Sequence, residues 1–266
     1  MKLPQNKFKK ALSSNKTQFG LWMGLPDNIC AEIGAGAGFD WLLIDAEHAP
    51  FDLRGIQSHL QAIAPYGVPA LVRPPEGTTA IIKQLLDIGA QSLLIPMVNT
   101  ADQARQLVQD SLYPPQGIRG LGTSMARAAR WNGIEDYLQN ANNEICLIVQ
   151  AETQQAIDNL AEIVAIDGIH AVFIGPSDLS ASMGHVGNPG HPEVVAAVEK
   201  SIEIIVNAGK AAGVLAVDKA LAEGYAAKGA SFVGVGVDAS LLATSVRNLA
   251  MQFCQPDKTD ELSASY

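Results

Sequence analysis

Short, strongly apolar runs alternate along most of the chain with longer stretches in which apolar residues recur every three or four positions. Four runs share one layout: a helical stretch, a glycine-containing turn, then an apolar run. They are GAGAGFDWLLIDAEH (34–48), LLDIGAQSLLIPMV (85–98), AIDGIHAVFIGPSD (165–178) and AAKGASFVGVGVD (226–238). Glycine just past a helix supplies a left-handed C-cap, and the run that follows is too short for a helix. Near-continuous apolar strands have both faces covered, as in a parallel sheet. Four more runs read the same way: FGLWMGL (19–25), PALVRPP (69–75), EICLIVQAE (144–152) and AAGVLAV (211–217).

The pattern predicts eight strands, most about 25 residues apart, as parallel pairs joined by helical crossovers require. The interval between the fourth and fifth is longer. It holds a predicted helix at 100–111, then YPPQGIRGLGTSMARAARWNG (113–133), then a second helix near 134–142. No Ser/Pro-rich linker divides the chain. Residues 1–253 are expected to form one (β/α)8 TIM barrel domain, since eight βα units close into a barrel more readily than they open into a doubly wound sheet. Residues 254–266 read as a polar C-terminal tail, expected to fray. GAGAG (34–38) superficially looks like a dinucleotide loop, but its glycines follow a helix and precede a strand, the reverse of that fingerprint.

Composition narrows the classes. With 266 residues, 48% hydrophobic and 17% charged, the chain can bury a large core. No window approaches the roughly 18 apolar residues of a membrane span. MKLPQNKFKKALSSNK at the N-terminus lacks the apolar stretch of a signal peptide, so a cytoplasmic protein is expected. A net charge of −9 argues against nucleic acid as partner but not against a small anionic substrate. Cys30, Cys146 and Cys254 are scattered, without CxxC spacing, and read as reduced thiols.

In such barrels the chemistry sits where strands end at their C-termini. The second strand ends in Asp45-Ala46-Glu47-His48, the third in Arg73, the fifth in Gln150-Ala151-Glu152, the sixth in Gly175-Pro176-Ser177-Asp178. Glu152 and Asp178, on adjacent strands, could share one hard divalent cation such as Mg²⁺ or Mn²⁺. They could equally be helix N-caps or surface ion pairs. Arg73, after an apolar run and before two prolines, suits a carboxylate or keto oxygen, or a structural ion pair. His48, three residues after Asp45, suggests an Asp–His dyad able to move a proton near neutral pH; otherwise it is a satisfied loop histidine. His185, in the loop after the sixth strand, is a weaker second candidate. His59 falls on a helix, His170 at the opposite end of the barrel, and His191 before Pro192 as a helix cap. No strand end carries a lysine for a Schiff base, so an enolate formed here would need a metal instead.

LLIDAEHAP (42–50), IKQLLDIGAQSLLIPMV (82–98), YPPQGIRG (113–120), ARAARWN (126–132), VQAET (149–153) and VFIGPSDLSASMG (172–184) together resemble the HpcH/HpaI class II pyruvate aldolases, over about residues 8–253. The resemblance implies cleavage of 4-hydroxy-2-oxo acids, such as 4-hydroxy-2-oxoheptanedioate, to pyruvate and an aldehyde. It implies a divalent ion (Mg²⁺, Mn²⁺ or Co²⁺) on Glu152 and Asp178, with Gln150 beside it. Arg73 would contact the keto oxygen, and His48 paired with Asp45 would be the acid/base. The amides of Ser177 and Asp178 would hold the pyruvate carboxylate, and Trp22 and Leu215 would line the aldehyde pocket. It further implies a homo-hexamer with the last helix exchanged between subunits. Two positions depart from the family pattern: Ala46 replaces the usual glycine, and Ser177 the usual alanine.

Other substrates of the same chemistry stay open, namely 2-dehydro-3-deoxyrhamnonate and 2-dehydro-3-deoxyglucarate. So do an acyl-CoA lyase on the same barrel, a phosphate-handling isomerase using GVGVD (234–238), and a catalytically silent binding barrel. The gap segment, with Arg119, Arg127, Arg130 and Trp131, and the last helix SLLATSVRNLAMQF (240–253), are expected to mediate assembly.

Overall fold

The computed structural model describes residues 1–14 and 16–254; the tail expected at 254–266 lies, apart from Cys254, outside them. The eight strands are β1 (Gln18–Met23), β2 (Trp41–Asp45), β3 (Ala70–Arg73), β4 (Ser92–Ile95), β5 (Cys146–Ala151), β6 (Ala171–Ile174), β7 (Ala211–Leu215) and β8 (Phe232–Val237). Each pairs in parallel with the next, and β8 returns to β1, closing the barrel. The helices are α1 (Lys7–Ala11), α2 (Asn28–Gly36), α3 (Leu53–Ile63), α4 (Thr79–Asp87), α5 (Ala101–Ser111), α6 (Tyr137–Asn140), α7 (Gln154–Asp158), α8 (Leu160–Val164), α9 (Pro176–Ser182), α10 (Pro192–Asn207), α11 (Lys219–Ala227) and α12 (Asp238–Phe253). GAGAG ends α2, with Gly38 at φ 95° turning the chain into β2.

Alternate residues along each strand point to opposite faces. One set, including Trp22, Trp41, Leu43, Leu71, Leu94, Cys146, Ile148, Phe173 and Phe232, packs into a single cluster that fills the barrel. The intervening set, with Leu42, Ile44, Val72, Leu93, Val149, Val172 and Val214, joins the helices in the larger outer core. Both faces are apolar, so the run of hydrophobic residues hides the alternation until the strand ends. There the inward positions turn polar: Asp45 follows Leu43, Arg73 follows Leu71, and Gln150 follows Ile148. The opposite end is stoppered by α1, whose Phe8 is buried against Phe232 (centroids 5.3 Å) and Trp41 (6.1 Å).

The long connection between β4 and β5 builds a small core of its own from Tyr113, Ala126, Ala129, Ile134, Tyr137 and Ala141. The helix expected near 134–142 is shorter, confined to α6 and a 3-10 turn at Ala141–Glu144. Two of its arginines serve this chain rather than a free surface. Arg119 is buried, donates to Asp87 Oδ1 (2.7 Å) and lies 4.3 Å over the Tyr113 ring. Arg127 donates to the carbonyl of Ile88 (2.8 Å). Trp131 stays exposed.

α12 buries no residue against its own barrel. Leu241, Leu242, Val246, Leu249 and Phe253 recur at helical spacing and are each more than half exposed. Among the described residues no helix is long and apolar enough to cross a membrane.

Tight packing inside the barrel yields a paired prediction. A Cβ added at Gly20 would lie 2.1 Å from the Trp41 ring, which is fully buried. Gly20→Ala should therefore cost about 3 kcal/mol, at the upper end for overpacking, and lower the Tm by several degrees. Gly224→Ala, at an exposed position of α11 with nothing near its Cβ, should leave Tm unchanged or raise it. Thermal melts of both variants read the difference.

Candidate active site

The register of β2 against β3 places Asp45 beside Arg73. Both are buried, and the guanidinium grips the carboxylate with two parallel bonds, Nε to Oδ1 (2.9 Å) and Nη2 to Oδ2 (2.7 Å). The geometry is the fork-on-carboxylate pairing that lysine cannot reproduce. Trp22 adds its indole N–H to Asp45 Oδ2 (3.2 Å), while Arg73 stands 5.1 Å over the indole ring. Burial works against ionising Asp45, but Arg73 and the amides of Glu47 and His48 outweigh it and hold the carboxyl below its ordinary value.

From Arg73 the bonds run on across the barrel mouth. Its Nη1 reaches Gln150 Oε1 (3.4 Å), and Gln150 Nε2 donates to Glu152 Oε2. Glu152 Oε1 in turn accepts the backbone N–H of Met97 (2.8 Å). Met97 follows β4 with φ 56°, a left-handed conformation uncommon for such a residue and frequent at functional sites. Three of Arg73's five donors are thereby engaged, leaving two for another acceptor.

Negative charge exceeds positive at this face. Glu152 is buried, and burial, with the like charges of Asp178 and Glu47, lifts its pKa to about 7 despite the Met97 amide. Glu47 is likewise raised by burial, against the opposing charges of Arg73 and His48 and with smaller help from Asp45 and Asp178. Its Oε2 lies 2.9 Å from Arg73 Nη1 yet is misaligned for a hydrogen bond, and so remains a buried oxygen without a hydrogen-bond partner. Neither Glu152 nor Asp178 caps a helix: Thr153 caps α7, and Asp178 lies in the exposed first turn of α9, beyond Gly175. Among the described residues neither forms an ion pair within 4.0 Å.

The Asp–His dyad expected from spacing does not form. Asp45's side chain is committed to Arg73 and Trp22, and it reaches His48 only through that residue's backbone N–H (3.4 Å). The His48 ring stands at the exposed rim, its Nε2 3.7 Å from Glu47 Oε2. Trp22 and Leu215 both lie over Gly234 on the inner wall, 3.3 and 2.9 Å from where a Cβ there would stand. Ser177 is exposed beside Asp178. Glu47, Met97 and Gly175 were not singled out by strand-end reading. Glu47 stood within the DAEH quartet, and its orphaned oxygen marks it. Met97 contributes only its main chain, which no side-chain pattern reveals.

A profile of the HpcH/HpaI aldolase/citrate lyase family matches residues 18–245. Hydroxypyruvate/pyruvate aldolase of Pseudomonas aeruginosa is 56% identical over 253 residues, covering 95% of this chain and 94% of that protein. The 4-hydroxy-2-oxo-heptane-1,7-dioate aldolase of Salmonella paratyphi B is 54% identical over 262 residues, covering 98% and 100%. Among solved structures, an HpcH/HpaI aldolase/citrate lyase family protein from Burkholderia cenocepacia superposes with a TM-score of 0.89 at 37% identity, covering 93% of this chain and 99% of that one.

Gly175 tests how closely the site is built. A Cβ there would fall 2.6 Å from Glu152 Oε2 and 3.0 Å from Gln150 Nε2. Gly175→Ala should push the Glu152 carboxylate aside and lower kcat/KM on the order of 10²-fold, the scale of a one-ångström misplacement. The melt should stay cooperative, and an unimpaired enzyme would show that Glu152's placement is not critical.

Proposed function

The chain belongs to the HpcH/HpaI aldolase/citrate lyase family and is a carbon–carbon lyase, and from that premise we propose that it cleaves 4-hydroxy-2-oxo acids to pyruvate and an aldehyde. With 4-hydroxy-2-oxoheptanedioate the aldehyde is succinic semialdehyde. The observation that carries this reading is the bonded chain Asp45–Arg73–Gln150–Glu152, where carboxylates outnumber the one guanidinium.

The donor set fits a divalent cation. Glu152, with its raised pKa, and Asp178 would hold it, and the orphaned oxygen of Glu47 adds negative potential nearby. Two carboxylates with the remaining positions left to water and substrate suit a hard ion such as Mg²⁺, Mn²⁺ or Co²⁺. Such an ion, when bound, supplies Lewis acidity toward the carboxylate and keto oxygens of the 2-oxo acid.

The protein's own groups do the rest. Arg73, with two N–H groups left outside hydrogen bonds, would stabilise the charge that develops on the keto oxygen. His48, at the rim, takes the proton of the C4 hydroxyl directly or through a water molecule. The C4–O bond becomes a carbonyl, the C3–C4 bond breaks, and its electron pair passes to C3 and the keto oxygen as the enolate of pyruvate. The aldehyde departs along the wall of Trp22 and Leu215. The first-turn amides of Ser177 and Asp178 orient the substrate carboxylate, and return of a proton to C3 completes turnover. Asp45 is a positioning residue for Arg73 in this scheme. The absence of lysine from the strand ends weighs against both a Schiff base and a pocket for CoA phosphates.

Chelation tests the reading. Protein stripped with EDTA should release no pyruvate from 4-hydroxy-2-oxoheptanedioate, and Mg²⁺, Mn²⁺ or Co²⁺ should restore release. Full activity without metal, or substrate trapped by borohydride, defeats it. The name of the Pseudomonas relative favours a second reading, hydroxypyruvate as donor in the reverse direction. Addition rates to one aldehyde with pyruvate and hydroxypyruvate as donors compare the two.

The apolar stripe of α12 supports assembly, with a hexamer as the expected state and that helix packed on a neighbouring subunit. Light scattering at micromolar concentration should give a hexamer, and a particle of 28.1 kDa would refute it.

A further inference from the structure

The loop joining α9 to α10 brings together three ligating side chains apart from the bonded chain at the barrel mouth. His185, His191 and Glu193 place a ring nitrogen or carboxylate oxygen each within 4.8 Å of the others. The His185 and His191 rings are stacked, centroids 3.6 Å apart and 15° from parallel. His185 Nε2 is 2.9 Å from Glu193 Oε2. Backbone turns hold the group: the N–H of His185 bonds the Ser180 carbonyl (2.7 Å), and that of His191 the Asn188 carbonyl (3.0 Å). His191 also caps α10, its Nδ1 accepting the Glu193 N–H at 3.3 Å.

We propose that His185, His191 and Glu193 form a second metal site, taking a borderline transition ion of the Zn²⁺ class. Two imidazoles and a carboxylate are the donors such ions prefer, and three protein ligands leave a fourth position for water. Hard ions such as Mg²⁺ favour all-oxygen surroundings, so this site and the Glu152–Asp178 pair select different cations. Parallel rings do not aim their lone pairs at one point, so binding turns one ring out of the stack. The torsion about the imidazole is soft, and both rings are only partly buried. His191 must also present a lone pair. Either Nδ1 ligates, or the proton moves to Nδ1 and Nε2 ligates, and both routes give up the long amide bond from Glu193. A bound ion would tie the loop to α10 and stiffen the segment leading from α9, which carries Asp178.

The test uses the untagged full-length protein, stripped with EDTA and titrated with Zn²⁺ by calorimetry. The Glu152→Gln variant removes a carboxylate of the proposed hard-ion site, so that binding here is read separately. It should retain one Zn²⁺ per chain at micromolar affinity or better, undiminished by millimolar Mg²⁺. Adding His185→Asn or His191→Asn should weaken that binding by about 100-fold or more. Asparagine at 191 preserves a helix cap, so the melt should hold. X-ray absorption of the Zn²⁺ form should show imidazole scattering. Binding unchanged by both substitutions, a zinc shell of oxygen alone, or loss of zinc to Mg²⁺ would each overturn the proposal. Failure of the aldolase reading would leave this result untouched, because no measurement here depends on turnover.

Discussion

Two buried charges that must remain together organise the mouth of this barrel. Asp45 and Arg73 are held out of water at the ends of neighbouring strands, and each is tolerable there only because the other is present. Breaking such a pair by removing one member typically costs about 3–5 kcal/mol, since the remaining charge stays buried without a partner. The parallel register of β2 and β3 makes the pairing possible, and the pairing in turn fixes where Arg73 can point. Everything further along follows from that aim: Gln150 meets Nη1, Glu152 meets Gln150, and the turn after β4 closes on Glu152 through the Met97 amide.

The same arrangement explains the electrostatic imbalance. Arg73 is a single positive charge shared among Asp45, Glu47 and, more weakly, Glu152, so it offsets only part of the four carboxylates gathered with Asp178. Burial of Glu152 among these neighbours makes ionisation costly, and the cost is relieved by a cation more readily than by rearrangement in a packed interior. Close packing also sets the tolerances. Gly175 lies so near Glu152 and Gln150 that no side chain fits, and Gly234 lets Trp22 and Leu215 share one wall.

Away from the mouth, two features answer to demands outside the barrel's own core. α12 turns an apolar stripe of Leu241, Leu242, Val246, Leu249 and Phe253 outward. The long β4–β5 connection makes its own small core and holds Arg119 and Arg127 internally, while Ile118, Leu121, Met125 and Trp131 are exposed on it. Composition alone does not tell which partner within the chain Arg119 and Arg127 take, and their bonds to Asp87 and Ile88 are visible only in the fold.

What the sequence determined by itself is what depends on local pattern. Short apolar runs, four of them after glycine turns, gave eight strands, their number and spacing gave the barrel, and the polar residues ending those runs gave Asp45, His48, Arg73, Gln150, Glu152 and Asp178. Strand ends are legible because inward positions change from apolar to charged at the C-terminal ends of several strands. The tertiary structure alone decided who pairs with whom. Spacing of three residues suggested that Asp45 serves His48, but the strand register put Arg73 closer and left the His48 ring at the rim beside Glu47. The Met97 amide, the confinement at Gly175 and the stacking of His185 on His191 likewise arise from segments far apart in sequence or from main-chain geometry. Local periodicity encodes which face a residue takes, while contacts across strands are set by register and packing, which a single segment does not contain.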